Sequence, residues 1–179
     1  MILQNKVLKE LIKALDPKRN AITQYLHVSS NSVLVTNSKI LLVISEDDTI
    51  DKDFKKVDVK VLKSKMALSD SVDLSEITLD KDSSVDLPEI TVDKNSNLGH
   101  LLEYFESDGF ERVTIDFKVK NPIYFDAKEL LKVQNILTSL GWKMNNLEFL
   151  SYKHKFKSIS YKAKMDNYCV YFAVCGIVF

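Results

Sequence analysis

Ile2, Leu3, Val7, Leu8, Leu11, Ile12 and Leu15 recur at steps of three and four, the spacing that lays one apolar stripe along an α-helix. The pattern predicts a helix over 2–15 with Lys6, Lys9 and Lys13 on the opposite face. Asp16-Pro17 ends it, because the residue before a proline is pushed out of the α region. The period then changes. Ile22–Val28, Val33–Thr36 and Ile40–Ile44 read as three strands, separated by polar turns at 29–32 and 37–39. Ile40–Ile44 is apolar at every position, which predicts burial on both faces.

The same order returns later in the chain. Residues 97–109 read as a short helix ending at Gly109. Val113, Ile115, Phe117 and Val119 alternate with polar residues, as in a half-buried strand. Asp126 with Glu129 three residues on has the form of a capping box. The helix it opens carries Leu130, Val133, Leu137 and Leu140 on one stripe, and Lys128, Lys132 and Asn135 on the other side. Gly141 closes it, and strands follow over 147–152, 158–164 and 168–179, the last apolar on both faces. The alternation predicts an α+β fold: one domain over 1–179, with two helix-plus-three-strand halves, antiparallel sheets and both helices on one face.

Between the halves, residues 46–95 read as an acidic insert. It holds a near repeat: "SVDLSEITLDKD" (71–82) matches "SVDLPEITVDKN" (84–95) at nine of twelve positions, 13 residues apart. Two copies are too few for a solenoid, so a duplicated strand or an acidic hairpin is expected. The acids over 80–86 lack the mid-loop glycine and closing glutamate of a calcium loop.

Charge changes the picture more than composition does. Apolar residues make up 45% of 179, enough for a core, and the 28% charged residues sum to a net charge of zero. That total excludes a simple polycation. The distribution is uneven: residues 1–45 carry +4, 46–110 carry −9 and 111–179 carry +5. If the two helices lie side by side, Lys6, Lys9, Lys13, Lys128 and Lys132 form one basic strip suited to sequence-blind phosphate contact. A second basic cluster, Lys153, Lys155 and Lys157, is interleaved with aromatics as in single-strand binders.

Candidate chemistry is sparse. His27, His100 and His154 have no ligand spacing to each other or to Cys169 and Cys175. The cysteines stand six apart on one predicted strand, roughly 20 Å when extended, beyond the ~7 Å a disulfide allows. No phosphate loop, dinucleotide fingerprint or nucleophile elbow is present. The expectation is a non-enzymatic protein without metal or cofactor. The N-terminal stretch lacks a signal-peptide apolar run and no stretch is long enough to span a membrane, so a cytoplasmic protein is expected.

The arrangement resembles a domain of the DNA polymerase sliding clamps, the bacterial beta clamp in particular. Ile2–Ile44 resembles the opening of such a domain, with Arg19 near the clamp arginine and "VLVTN" (33–37) where clamps carry "ATD" or "TTD", Asn37 replacing the aspartate. "YFDAKELLKVQNIL" (124–137) resembles the strand and helix that open its second half, and "LPEITV" (87–92) the segment before it. The resemblance implies meanders that pair edge to edge and helices that face DNA. It implies a DNA-tethering or processivity factor, of a viral or mobile-element kind, that needs no catalytic residue. Implied partners are double-stranded DNA held weakly through the five helix lysines, further copies of the chain, and a polymerase or other replication protein. The alternative is a protein–protein assembly module of the same fold with no DNA role.

Overall fold

The computed structural model describes residues 1–18, 21–51, 53–79, 112–115, 123–143, 147–153 and 158–176. The elements before the insert are β1 (Ile2–Gln4), α1 (Asn5–Ala14), α2 (Ala21–Gln24), β2 (Leu26–Val28), β3 (Ser32–Thr36) and β4 (Ile40–Ser45). Next come β5 (Lys55–Val57), α3 (Val59–Met66), β6 (Ser71–Asp73), a 3-10 turn at Leu74–Ile77 and β7 (Thr78–Leu79). The last group is β8 (Arg112–Ile115), β9 (Ile123–Asp126), α4 (Ala127–Ser139), β10 (Leu147–Lys153), β11 (Ser158–Lys164) and β12 (Cys169–Cys175).

Eight strands form one antiparallel sheet in the order β10-β11-β12-β4-β3-β2-β5-β7. The centre is the β4–β12 seam, where Val170 lies opposite Ile44 and Phe172 opposite Leu42. Read outward from that seam, β4-β3-β2 mirrors β12-β11-β10. Each half also begins with a strand that runs straight into a helix, β1 into α1 and β9 into α4. The topology is thus two βαβββ halves about a near-twofold seam. Both entry strands pair outside the main sheet, β1 with β6 and β9 with β8.

The period-two pattern decides which face is covered. Val33, Val35, Ile40, Leu42, Ile44, Val170, Phe172 and Val174 point to one side, into the cluster that also holds Val7, Leu8 and Leu11 of α1 and Leu130, Val133 and Leu137 of α4. Tyr161 and Phe172 stack there with ring centroids 5.5 Å apart. Both helices therefore lie on one face and pack against each other. Leu34 and Val43 point to the other side, where Phe54 covers them. Ile40–Ile44 is apolar throughout because both of its faces are buried.

Several sequence expectations need correction. Residues 2–4 are strand, not the first turn of the helix, because β6 supplies a hydrogen-bonding partner that no local pattern reveals. Residues 21–24 are helical, not strand. The Asp16 amide donates to the Thr23 carbonyl at 3.0 Å and the Thr23 hydroxyl to the Asp16 carbonyl at 2.8 Å, closing the link between α1 and β2. Asp126 does cap α4, accepting from the Lys128 amide at 3.1 Å, but Glu129 completes no capping box and turns elsewhere. The segment over 55–79 holds ordered elements: α3 buries Leu62, and Val72, Leu74 and Ile77 enter the main core. The predicted helix at 97–109, the second repeat copy and Arg19 lie outside the described residues. Of the predicted strand at 113–119, only 113–115 is described, within β8.

Candidate nucleic-acid interface

The apolar stripe of α1 fixes where its lysines go. Val7, Leu8, Leu11 and Ala14 are buried, so Lys6, Lys9 and Lys13, about half a turn around the helix, are exposed. On α4, burial of Leu130, Val133, Ile136 and Leu137 leaves Lys128, Leu131 and Asn135 exposed. Because the two helices pack against each other over one sheet, these lysines occupy one helical layer.

The five lysines are not equivalent. Lys6, Lys9 and Lys128 form no ion pair within 4.0 Å among the described residues. Lys13 reaches Glu10 at 2.7 Å while its side chain stays 67% exposed, a pairing worth little in water. Lys132 is only 32% exposed and lies 3.1 Å from Glu129. Glu129 is buried in turn, and accepts from Asn37 Nδ2 at 2.6 Å. Lys39 bridges Asp126 at 3.0 Å and stands 4.0 Å from Glu129. Burial would raise the Asp126 carboxyl, but the Lys39 ammonium and the Lys128 amide outweigh it and hold it below its ordinary value. Lys132 and Lys39 thus neutralise the first turn of α4, and Lys132 is half structural.

Lys153 ends β10, an edge strand of the sheet; its side chain, Lys155 and Lys157 lie outside the described residues. An open groove of about 640 Å³ sits at the start of α1, lined by Gln4, Asn5, Lys6, Asp70 and Tyr168 among others. Asn5 Nδ2 ties this end of the helix to the turn after α3, donating to the Met66 carbonyl at 2.8 Å and the Ser69 carbonyl at 2.6 Å. The Asn5 backbone amide also donates to the Asp70 carbonyl at 2.9 Å, which brings Asp70 into the groove that Lys6 lines.

The sequence did not single out Asp48, which forms a polar node on the far side of the sheet. It accepts from the Cys169 thiol at 2.9 Å and pairs with Lys162 at 2.6 Å. The Cys169 and Lys162 hydrogen bonds hold its carboxyl down at about 2, against some desolvation. Burial, then the Asp48 charge, pushes the Cys169 thiol up to about 11. A thiol so protonated is a poor nucleophile at neutral pH. Both cysteines are free. Among the described residues no group of three or more His, Cys, Asp or Glu side chains is placed to hold a metal, and no helix is long and apolar enough to cross a membrane.

No protein-family model and no curated protein matches the chain. Solved structures do. A protein assigned as a DNA polymerase III beta subunit from Eubacterium rectale is 13% identical with a TM-score of 0.57, the match covering 99% of this chain and 65% of that one. A DNA polymerase sliding clamp from Pseudomonas aeruginosa, solved with a ligand, is 12% identical with a TM-score of 0.51, covering 100% of this chain and 64% of that one. The chain has a sliding-clamp-like α+β fold, and spans just under two thirds of the length of these neighbours.

Proposed function

We propose that this chain is a non-enzymatic, clamp-like DNA-tethering or processivity factor that holds double-stranded DNA against the exposed lysines of α1 and α4. The observation that carries the reading is the juxtaposition of the two helices: both halves of the fold place their helix in one layer, and Lys6, Lys9, Lys13 and Lys128 are all exposed from it. Lysine ammoniums on a rigid helical surface neutralise phosphates and release counterions without reading bases. Lys132 contributes less, because Glu129 shares its charge. A homo-oligomer, in which further copies of the chain help to enclose the duplex, is part of the proposal. A polymerase or another replication protein is the partner such a tether would serve.

The test is duplex binding at low salt together with light scattering. Binding is expected at micromolar Kd or weaker, equal for unrelated sequences, with a steep loss as salt rises. Lys6→Glu, Lys9→Glu, Lys13→Glu and Lys128→Glu combined should abolish it with melting unchanged. Lys132 is left intact because a glutamate there would face Glu129. Binding that survives this variant and falls when Lys153, Lys155 and Lys157 are changed would move the contact to the β10–β11 end. A monomer that binds no DNA at any salt would overturn the proposal and leave the assembly-module reading.

A further inference from the structure

Each of the two helices carries a Glu–Lys pair three positions apart, Glu10–Lys13 on α1 and Glu129–Lys132 on α4. The pairs share a spacing but not a setting. Lys13 is largely exposed, so its pair opens to water at little cost. Glu129 is the only buried Asp or Glu among the described residues. Both of its oxygens accept from Lys132 Nζ at 3.1 Å, and Oε2 also accepts from Asn37 at 2.6 Å. A carboxylate in the first turn of a helix is favoured by the helix dipole, but that role is served equally well by an exposed side chain. Burial against a residue from the other half of the fold calls for a further reason.

We infer that Glu129 is a fixed competitor for the phosphate that Lys132 would otherwise bind, and that Asn37 holds it there. A phosphate arriving at Lys132 meets one of two obstacles. If the pair stays closed, the phosphate faces an ammonium already matched by a carboxylate. If the pair opens, Glu129 is left buried without the charge that offsets its desolvation. Glu129 has no easy third course. Swinging out to water breaks its bond to Asn37, and Asn37 is itself fixed by the Lys39 and Ile40 amides, each donating to its Oδ1 at 3.0 Å. Lys39 does not restore the lost charge, because it is engaged with Asp126 at 3.0 Å.

This inference rests on the DNA-tethering reading and adds a limit on affinity to it. Lys128, exposed one turn away, is left to act for α4. Loose phosphate contacts let a protein move along a duplex, so a withheld lysine keeps the tether mobile.

The test is the salt dependence of duplex binding by the full chain and its variants. Glu129→Gln keeps an acceptor for Asn37 and frees Lys132. It should bind more tightly at low salt, and the slope of log K against log salt should steepen by about 0.9, the value of one further phosphate contact. Adding Lys132→Gln to that variant should return the slope to the parent's. Asp53→Asn makes the same change in net charge next to Phe54, which packs on the opposite face of the sheet, and should leave the slope unchanged. Should the glutamine variant lose its cooperative melt, Glu129→Met frees Lys132 with an apolar side chain suited to burial and should steepen the slope equally. A slope in the folded variant equal to the parent's would overturn the inference while leaving the DNA reading intact. So would a steepening that survives Lys132→Gln or that Asp53→Asn reproduces. No duplex binding by the parent or by any variant would remove the DNA reading and this inference together.

Discussion

Asn37 Nδ2 donates to Glu129 Oε2 at 2.6 Å between two buried side chains 92 positions apart. The bond joins the β3–β4 turn of one half to the first turn of α4 in the other. The rest of the Asn37 side chain shapes that turn, its Oδ1 accepting from the Lys39 and Ile40 amides at 3.0 Å each. The turn also needs Ser38 at φ 73°, a conformation such local hydrogen bonding helps to hold. One amide side chain thus serves as acceptor and donor at once. An aspartate, the residue clamps carry in the motif that "VLVTN" resembles, could accept for the turn but could not donate to Glu129.

Asn37→Asp should destabilise the fold by about 2–4 kcal/mol at neutral pH, because it sets a second carboxylate against a buried one. Facing carboxylates raise the folded-state pKa of the pair above its unfolded value. The deficit is full above that raised value and shrinks as pH falls through it. Urea midpoints at about pH 7 and about pH 4 should show the gap to the parent narrowing at the lower pH. A gap independent of pH would mean the loss comes from the turn alone.

Asp48 should behave in the opposite sense. Its folded pKa of about 2 lies below the ordinary 3.8, so its contribution is present above about pH 4 and disappears as pH falls through 2. Asp48→Asn should therefore melt below the parent at pH 7, with the two curves converging in acid. Equal melting at neutral pH would show that Lys162 and Cys169 gain nothing from the carboxylate.

Cys169, buried and held near 11 with Asp48 beside it, should react slowly with a thiol-specific disulfide reagent at pH 8. Asp48→Asn removes a charge that disfavours the thiolate, so it should speed the reaction. Cys175, which the structure leaves exposed, provides the comparison and is best replaced by serine when Cys169 is followed.

Leu137 and Val170 are fully buried at the helix–sheet contact. Either one changed to Asp should abolish cooperative unfolding, since an unpaired carboxylate there has no partner and no water. Circular dichroism melts that retain a sharp transition would show that α4 or β12 lies elsewhere.

The sequence by itself determined what depends on neighbours along the chain. The α1 and α4 stripes, the Asp126 cap, the two meanders and the double-sided burial of Ile40–Ile44 were all legible, because helix and strand periods sort apolar residues onto faces before any partner is present. The outward position of Lys6, Lys9, Lys13 and Lys128 followed from the same stripes. Tertiary structure decided what depends on residues far apart. β1 was hidden because Ile2 and Leu3 fit the helical stripe until β6 offered a ladder. α3 was hidden because only Leu62 of its eight residues is buried, leaving too thin a stripe to detect. The β4–β12 seam, the groove that Asp70 and Lys6 both line and the division of Lys132 between solvent and Glu129 likewise required the fold. Periodicity records which face of an element avoids water, but a hydrogen bond or ion pair across 92 positions leaves no trace in either element's own pattern.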